Sequence, residues 1–336
     1  MLGENIKRYR ILKGISLRKF GELVGLSQTA INKYEKDILK PDGEKLVKFA
    51  EVLDCKVSDL LKDNSKKRTL NINFRKRKAL TGRKLDLLKQ IINDKINNYL
   101  DVLALNLIKP NKIKKYKVRS LVDVEKAATD FRKDHQINEV LPLSNLYDII
   151  ENLGISIIVI DNENDLFDGF DGVSEQIDGF SFVCISSDIN YYRQRFTLAH
   201  ELGHLILEIT DGLDEEKICN EFASSLLLPK KALELECGLQ RLIINDEEYE
   251  IIQDEYRVSK KAIIYALEKY GIISSSYAKM SYINYNKYLK DEEFNKAKQY
   301  NESPRKYKQL LLRLHAQNLI TQSRFNELAG EYNIDG

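Results

Sequence analysis

Apolar positions in the first sixty residues recur at helical spacing in short bursts: Ile6, Tyr9 and Leu12; Leu17, Phe20 and Leu23; Ile31 and Tyr34; Leu46, Phe49, Ala50 and Leu53; Val57, Leu60 and Leu61. A period broken this often predicts a compact bundle of about five short helices. Ser16, Ser27 and Asp42 stand where N-caps would open successive helices, and Gly14 and Gly25 where the preceding ones would end.

Leu85, Leu88, Ile92, Ile96, Tyr99 and Leu103 then continue at helical spacing and predict one long helix. From about residue 120 the pattern is mixed. Helices are predicted around 122–132 and over 144–153, the second closed by Gly154. The β-branched run at 155–160 and the run at 180–185 read as strands, with the Asp-, Asn- and Gly-rich stretch 161–178 between them as a loop. Two helices follow, roughly 191–208 and 214–227, and Pro229 ends the latter. The last hundred residues read as largely helical. Ser259 is placed to cap a helix ending near Gly271, and Ser303-Pro304 to open the stripe of Tyr307, Leu310, Leu311 and Leu314.

These elements predict a multidomain chain: an all-α domain over 1–64, a basic linker and long helix over 65–119, an α+β domain over 120–275, and a helical C-terminal region over 276–336. With 43% hydrophobic residues the chain is apolar enough to bury real cores. Its 53 basic and 51 acidic side chains nearly cancel, so a nucleic-acid surface has to come from local clusters. Residues 66–78 hold such a cluster, with Lys66, Lys67, Arg68, Arg75, Lys76, Arg77 and Lys78 and no acid. A second basic run, 109–119, marks a boundary. Cys55, Cys184, Cys219 and Cys237 form no C-x-x-C pair, which suits a reducing compartment. No apolar run resembles a signal peptide or a membrane span, so the expectation is a cytoplasmic protein without a membrane partner. The pattern leaves the oligomeric state open.

The chemistry concentrates in His200-Glu201-Leu202-Gly203-His204. Positions i and i+4 share a helix face, so both imidazoles can meet one Zn²⁺, one ion per chain, with Glu201 beside the open coordination position as a base. Gly203 allows a neighbouring backbone or strand to approach. On the next helix Glu216 and Asn220 are also i and i+4, beside the apolar stripe of Cys219, Ala223 and Leu227. Spacing therefore favours Glu216 as a third ligand and Asn220 as a group orienting a histidine, while Asp214, Glu215 and Glu221 read as solvated charges. Arg193 is one of several arginines and tyrosines available to an oxyanion, and His135 and His315 read as ordinary surface residues.

In the N-terminal bundle, 17–24, a turn at Gly25-Leu26 and 28–36 have helix-turn-helix lengths. Gln28, Thr29, Asn32 and Lys33 would point outward while Ala30, Ile31 and Tyr34 pack inward. Gln and Asn can read adenine in double-stranded DNA, and Lys33 or Lys36 can hold phosphate.

Two resemblances rest on these residues. Residues 3–62, through the segment 17–36 and Ser58-Asp59-Leu60-Leu61, resemble the Xre/Cro repressor-like family. Residues 120–275 resemble the ImmA/IrrE family of zinc metallopeptidases. The second resemblance is carried by Arg193, Arg195-Phe196-Thr197-Leu198-Ala199, the five-residue motif, Glu216, Cys219-Asn220, Phe222-Ala223 and Leu226-Leu227-Leu228-Pro229. Cys219 departs from the family's usual alanine. This resemblance implies a zincin-like domain that cleaves a helix-turn-helix repressor and relieves repression of stress-response or mobile-element genes. It also supports Glu216 as third ligand. The rival expectation is a DNA-binding regulator whose peptidase-like domain senses or docks without cutting.

Overall fold

A computed structural model of the chain describes residues 2–61, 82–161 and 167–330, so the basic run 66–78 lies outside the described residues. The chain divides into two compact units, Met1–Leu105 with Asn162–Phe170, and Asn106–Asp161 with Asp171–Gly336.

In the first unit, helices α1 (Leu2–Leu12), α2 (Leu17–Val24), α3 (Gln28–Glu35), α4 (Gly43–Leu53) and α5 (Val57–Leu61) enclose Ile6, Phe20, Ile31, Phe49 and Leu60, all fully buried. Helices α2, α3 and α4 start where their caps dictate. Ser16, Ser27 and Asp42 accept from the backbone N–H groups of Lys19, Ala30 and Lys45, satisfying donors that a helix start leaves unpaired. Gly25, at φ +76°, ends α2 in the left-handed conformation that glycine adopts without strain. Arg10 grips the buried Glu35 with two hydrogen bonds of 2.5 and 3.0 Å, fixing α1 on α3. Helix α6 (Arg83–Leu105) buries Leu88, Ile92, Ile96 and Tyr99, and Arg8 pairs with its Asp94 at 2.6 Å.

The second unit is α+β. Strand β1 (Tyr116–Val118), α7 (Leu121–Asp134), α8 (Leu146–Asn152) and β2 (Ile155–Ile160) lead to β3 (Gly172–Ile177) and β4 (Phe180–Ser186). Helix α9 (Tyr191–Ile206), β5 (Leu207–Ile209) and α10 (Glu215–Leu227) follow. The sheet order is β2-β4-β3, with β2 parallel and β3 antiparallel to β4, and β1 pairs separately in parallel with β5. Helices α9 and α10 share one core: Leu198, Ala199, Leu202 and Ile206 with Ile218, Phe222 and Ala223, closed by Val183 and Ile185. The helices α11 (Lys230–Cys237), α12 (Asp246–Tyr256), α13 (Lys260–Lys269) and α14 (Ser275–Asn284) complete that side. A π-helical turn (Tyr285–Leu289), α15 (Lys290–Ala297), α16 (Lys306–Ala316) and α17 (Gln322–Gly330) end the described chain. No helix among the described residues is long and apolar enough to cross a membrane.

Several local expectations change. The stretch 161–178 contains β3, joined to β4 by a two-residue turn in which Asp178 and Gly179 both have positive φ. Helix α9 stops at Ile206 because Leu207–Ile209 pair with β1, which itself lies inside the basic run 109–119. Helix α8 begins at Leu146, two residues after the expected start, and is capped by Asn145. Ser303-Pro304 does not cap α16, whose side-chain-uncapped start draws on a different source.

That source is one of three buried carboxylates that hold the C-terminal helices to this unit. Glu151 of α8 accepts from the backbone N–H groups of Arg305 and Lys306, both at 3.0 Å. Glu293 accepts from the Lys260 N–H at 2.7 Å, the Gln253 amide at 2.8 Å and the Tyr285 hydroxyl at 2.8 Å. Glu302 accepts from Arg195 (2.9 Å), Tyr191 (2.5 Å) and Arg257 (3.1 Å). The Arg195 side chain is fully buried on α9, so its charge depends on Glu302 for compensation. Glu302→Ala is expected to cost roughly 3–5 kcal/mol, the penalty for leaving a buried partner charge uncompensated. A denaturation midpoint matching the wild type would contradict that assignment.

Candidate metal centre

Asn190 opens α9 by accepting from the Arg193 N–H at 2.9 Å, and the helix then runs buried on nearly every face through the motif. Close approach on two sides fixes its position. A Cβ at Gly203 would lie 3.3 Å from the Cys219 sulfur and 3.3 Å from the Phe222 ring, so the neighbour this glycine admits is a pair of α10 side chains, not a backbone or strand. A Cβ at Gly172 would lie 2.6 Å from Thr197 Cγ2 and 2.9 Å from the Cys184 carbonyl oxygen. Strand β3 therefore sits against α9 at a distance that no other residue permits.

This packing brings His200, His204 and Glu216 together, with one ligand atom from each lying within 4.8 Å of the others. The two Nε2 atoms are 3.1 Å apart, and Glu216 reaches 3.4 Å from each. A tetrahedral ion with bonds of about 2.0–2.1 Å needs ligand separations of about 3.3 Å; the two nitrogens lie close to that, and a different Glu216 oxygen approaches each of them, Oε2 to His200 and Oε1 to His204. The far side of each ring explains its orientation. His200 Nδ1 faces Asn220 Oδ1 at 3.0 Å and His204 Nδ1 faces Glu215 Oε1 at 2.9 Å. Both Nδ1 atoms thus face oxygen atoms, which turns both Nε2 atoms toward one another and toward a carboxylate. Two imidazole nitrogens and a carboxylate converging in this way fit a cation, and the residues match the donor set that zinc takes. The histidines are buried, with side chains 8% and 7% exposed, whereas Glu216 at 52% leaves the site open on one side.

Glu201 is 2% exposed, and one of its carboxylate oxygens accepts from the Ser174 hydroxyl at 2.8 Å. Ser174 lies on β3, the strand that the sequence pattern did not reveal. Glu215 was expected to be a solvated charge and is instead the partner of His204, because α10 begins close enough for its first residue to reach the ring. Asp214 and Glu221 are not merely solvated either. Asp214 accepts from the Lys217 N–H to cap α10, and Glu221 pairs with Lys269 at 2.6 Å and takes the Tyr265 hydroxyl. The Lys269 ammonium and the Tyr265 hydroxyl outweigh desolvation and hold the Glu221 pKa below its usual value. Cys219 Sγ lies 3.4 Å from His204 Nδ1. Arg193 is engaged with Asp171 at 2.7 Å on the surface. His135 lies tilted against Phe131, with burial lowering its pKa, and His315 bonds Gln322 at 2.8 Å; neither joins the centre.

On α3, Gln28, Thr29, Lys33 and Lys36 are exposed and Asn32 is half-buried, while Ile31 and Tyr34 are buried and Ala30 partly so. Residues 6–60 match the helix-turn-helix family, and residues 150–268 match the IrrE N-terminal-like domain. The chain carries a helix-turn-helix domain followed by an IrrE N-terminal-like domain. No curated protein matches it. Among solved structures it is similar to a Mycobacterium tuberculosis transcriptional regulator, at 15% identity and a TM-score of 0.30, over 44% of this chain and 47% of that one. The chain thus spans about half the length of that regulator. It is also similar to the Streptococcus dysgalactiae SHP pheromone receptor Rgg2 (14% identity, TM-score 0.17, 99% of both chains). A third likeness is to Bacillus thuringiensis PlcR in complex with the peptide PapR7 and DNA (13%, 0.18, 89% of this chain and 97% of that one).

The contact between β3 and α9 gives a direct test of how this centre is held. Gly172→Ala is expected to destabilise the protein by about 1–3 kcal/mol, since the added methyl meets backbone that is slow to yield. A variant as stable as the wild type in thermal unfolding would show that the strand has room to move.

Proposed function

We propose that the protein is a zinc-dependent endopeptidase that cleaves a helix-turn-helix repressor and so relieves transcriptional repression, while its own N-terminal domain binds double-stranded DNA. The observation that carries this reading is the convergence of two histidine lone pairs and the Glu216 carboxylate next to the buried carboxylate of Glu201. A zinc ion held by His200, His204 and Glu216, one per chain, would supply Lewis-acid polarisation of the scissile carbonyl and make water more acidic.

The chain's own groups carry the remaining steps. Asn220 holds the His200 ring, and Ser174 fixes the direction of the Glu201 carboxylate. Glu201 takes a proton from the water that attacks the carbonyl carbon, then delivers it to the amine nitrogen as the C–N bond breaks. Burial keeps competing water away from that carboxylate. At the other end of the chain, Gln28, Thr29 and Asn32 are assigned to base edges, and Lys33 and Lys36 to phosphates. The IrrE N-terminal-like match, next to a DNA-binding domain, supports a substrate that is itself a transcriptional repressor.

The test is incubation of the purified chain with helix-turn-helix repressors encoded beside its gene. Cleavage is expected for the wild type, abolition by a chelator, and a loss of at least a hundredfold in Glu201→Gln, in keeping with removal of a general base. Intact repressor under every condition would favour a regulator that senses or docks without cutting.

A further inference from the structure

His200 and His204 are not held alike. Behind His200 stands the neutral amide of Asn220, whereas behind His204 stands the carboxylate of Glu215 at 2.9 Å, with the Cys219 sulfur 3.4 Å from the same nitrogen. Glu215 is the first residue of α10, one position before Glu216, so a single helical turn presents two carboxylates to the same imidazole from opposite sides. Glu216 approaches Nε2 of that ring at 3.4 Å while Glu215 takes Nδ1. Asp214 fixes the start of this turn by accepting from the Lys217 N–H.

We infer that Glu215 is a positioning residue that sets the orientation and donor strength of His204, making that histidine the more firmly held of the two. This assignment rests on the metal reading above and extends it to a residue outside the ligand set. A carboxylate that accepts from Nδ1–H does two things a neutral amide does less well. It locks the ring with a charge-assisted hydrogen bond, and it raises electron density at Nε2, the atom that faces the other two donors. The Glu215 side chain is 42% exposed, so solvent weakens the charge effect and the expected change lies at the lower end of what such outer partners contribute.

The experiment measures Zn²⁺ affinity of the full chain by competition with a chromogenic chelator, with Glu215→Ala and Glu215→Gln beside the wild type. Glu215→Ala is expected to weaken Zn²⁺ about tenfold, and Glu215→Gln by less, because its amide oxygen still accepts from Nδ1–H. Thermal unfolding of the metal-free proteins separates this from a simple loss of α10 stability, since the affinity change should exceed anything mirrored in the midpoint. In the Co²⁺-loaded proteins, the visible absorption bands should shift in Glu215→Ala while binding stoichiometry stays unchanged. Zn²⁺ affinity of Glu215→Ala within twofold of the wild type, or an unaltered Co²⁺ spectrum, would overturn the assignment while leaving the three-ligand site standing. A wild-type chain that binds neither ion would overturn both.

Discussion

Gly203 has no side chain where α9 faces Cys219 and Phe222, and that missing Cβ lets the two helices approach closely beside the candidate metal centre. The contacts between α9 and α10 at the centre follow from this approach. At this separation Glu216 and Asn220, one turn apart on α10, reach the two imidazoles one turn apart on α9, and Glu215 reaches the second ring from behind. A wider spacing would leave two buried histidines facing each other with no carboxylate between them. On the opposite side, Gly172 admits β3 to the same helix, and with it the Ser174 hydroxyl that holds Glu201. The centre is built by two glycines that bring polar groups within hydrogen-bonding range.

The same helix carries a second, purely structural charge. Arg195 lies five residues before His200 and is fully buried, where an unpaired guanidinium would be costly. Its counter-charge comes from Glu302, beyond the stretch that matches the IrrE N-terminal-like domain. Glu293 and Glu151 add two further links, each closing backbone N–H groups at a helix start. Helices α15 and α16 are therefore tied to the unit that carries the candidate metal centre through hydrogen-bonded carboxylates, whose loss would leave buried partners unsatisfied.

Much of this was legible in the sequence wherever the controlling interaction is local. Ser16, Ser27 and Asp42 each cap a helix by bonding three residues ahead, so the N-terminal bundle could be read directly. The gathering of His200, His204, Glu216 and Asn220 follows from i, i+4 spacing on two successive helices. Non-local partners were hidden. Strands β1 and β5 are three residues long and gain their conformation only from each other across 91 positions in register, as Tyr116 pairs with Leu207. Strand β3 carries few apolar residues, yet its signal was present in Asp178-Gly179, a pair suited to the positive φ of a tight hairpin turn. Glu215 looked solvated because its partner depends on how the His204 ring is turned, and ring orientation is not a property of spacing. Glu302 gave no sign at all, standing 107 residues from Arg195.

What unites these observations is the claim that the converging nitrogen lone pairs and carboxylate are arranged for a metal ion. The most direct measurement is the zinc content of the purified full-length chain after exhaustive dialysis, compared with the His200→Ala and His204→Ala variants. About one zinc per wild-type chain is predicted, with near-complete loss in both variants, as a three-residue site requires. Zinc retained equally by the wild type and both variants, or absent from the wild type at saturating supply, would contradict the account.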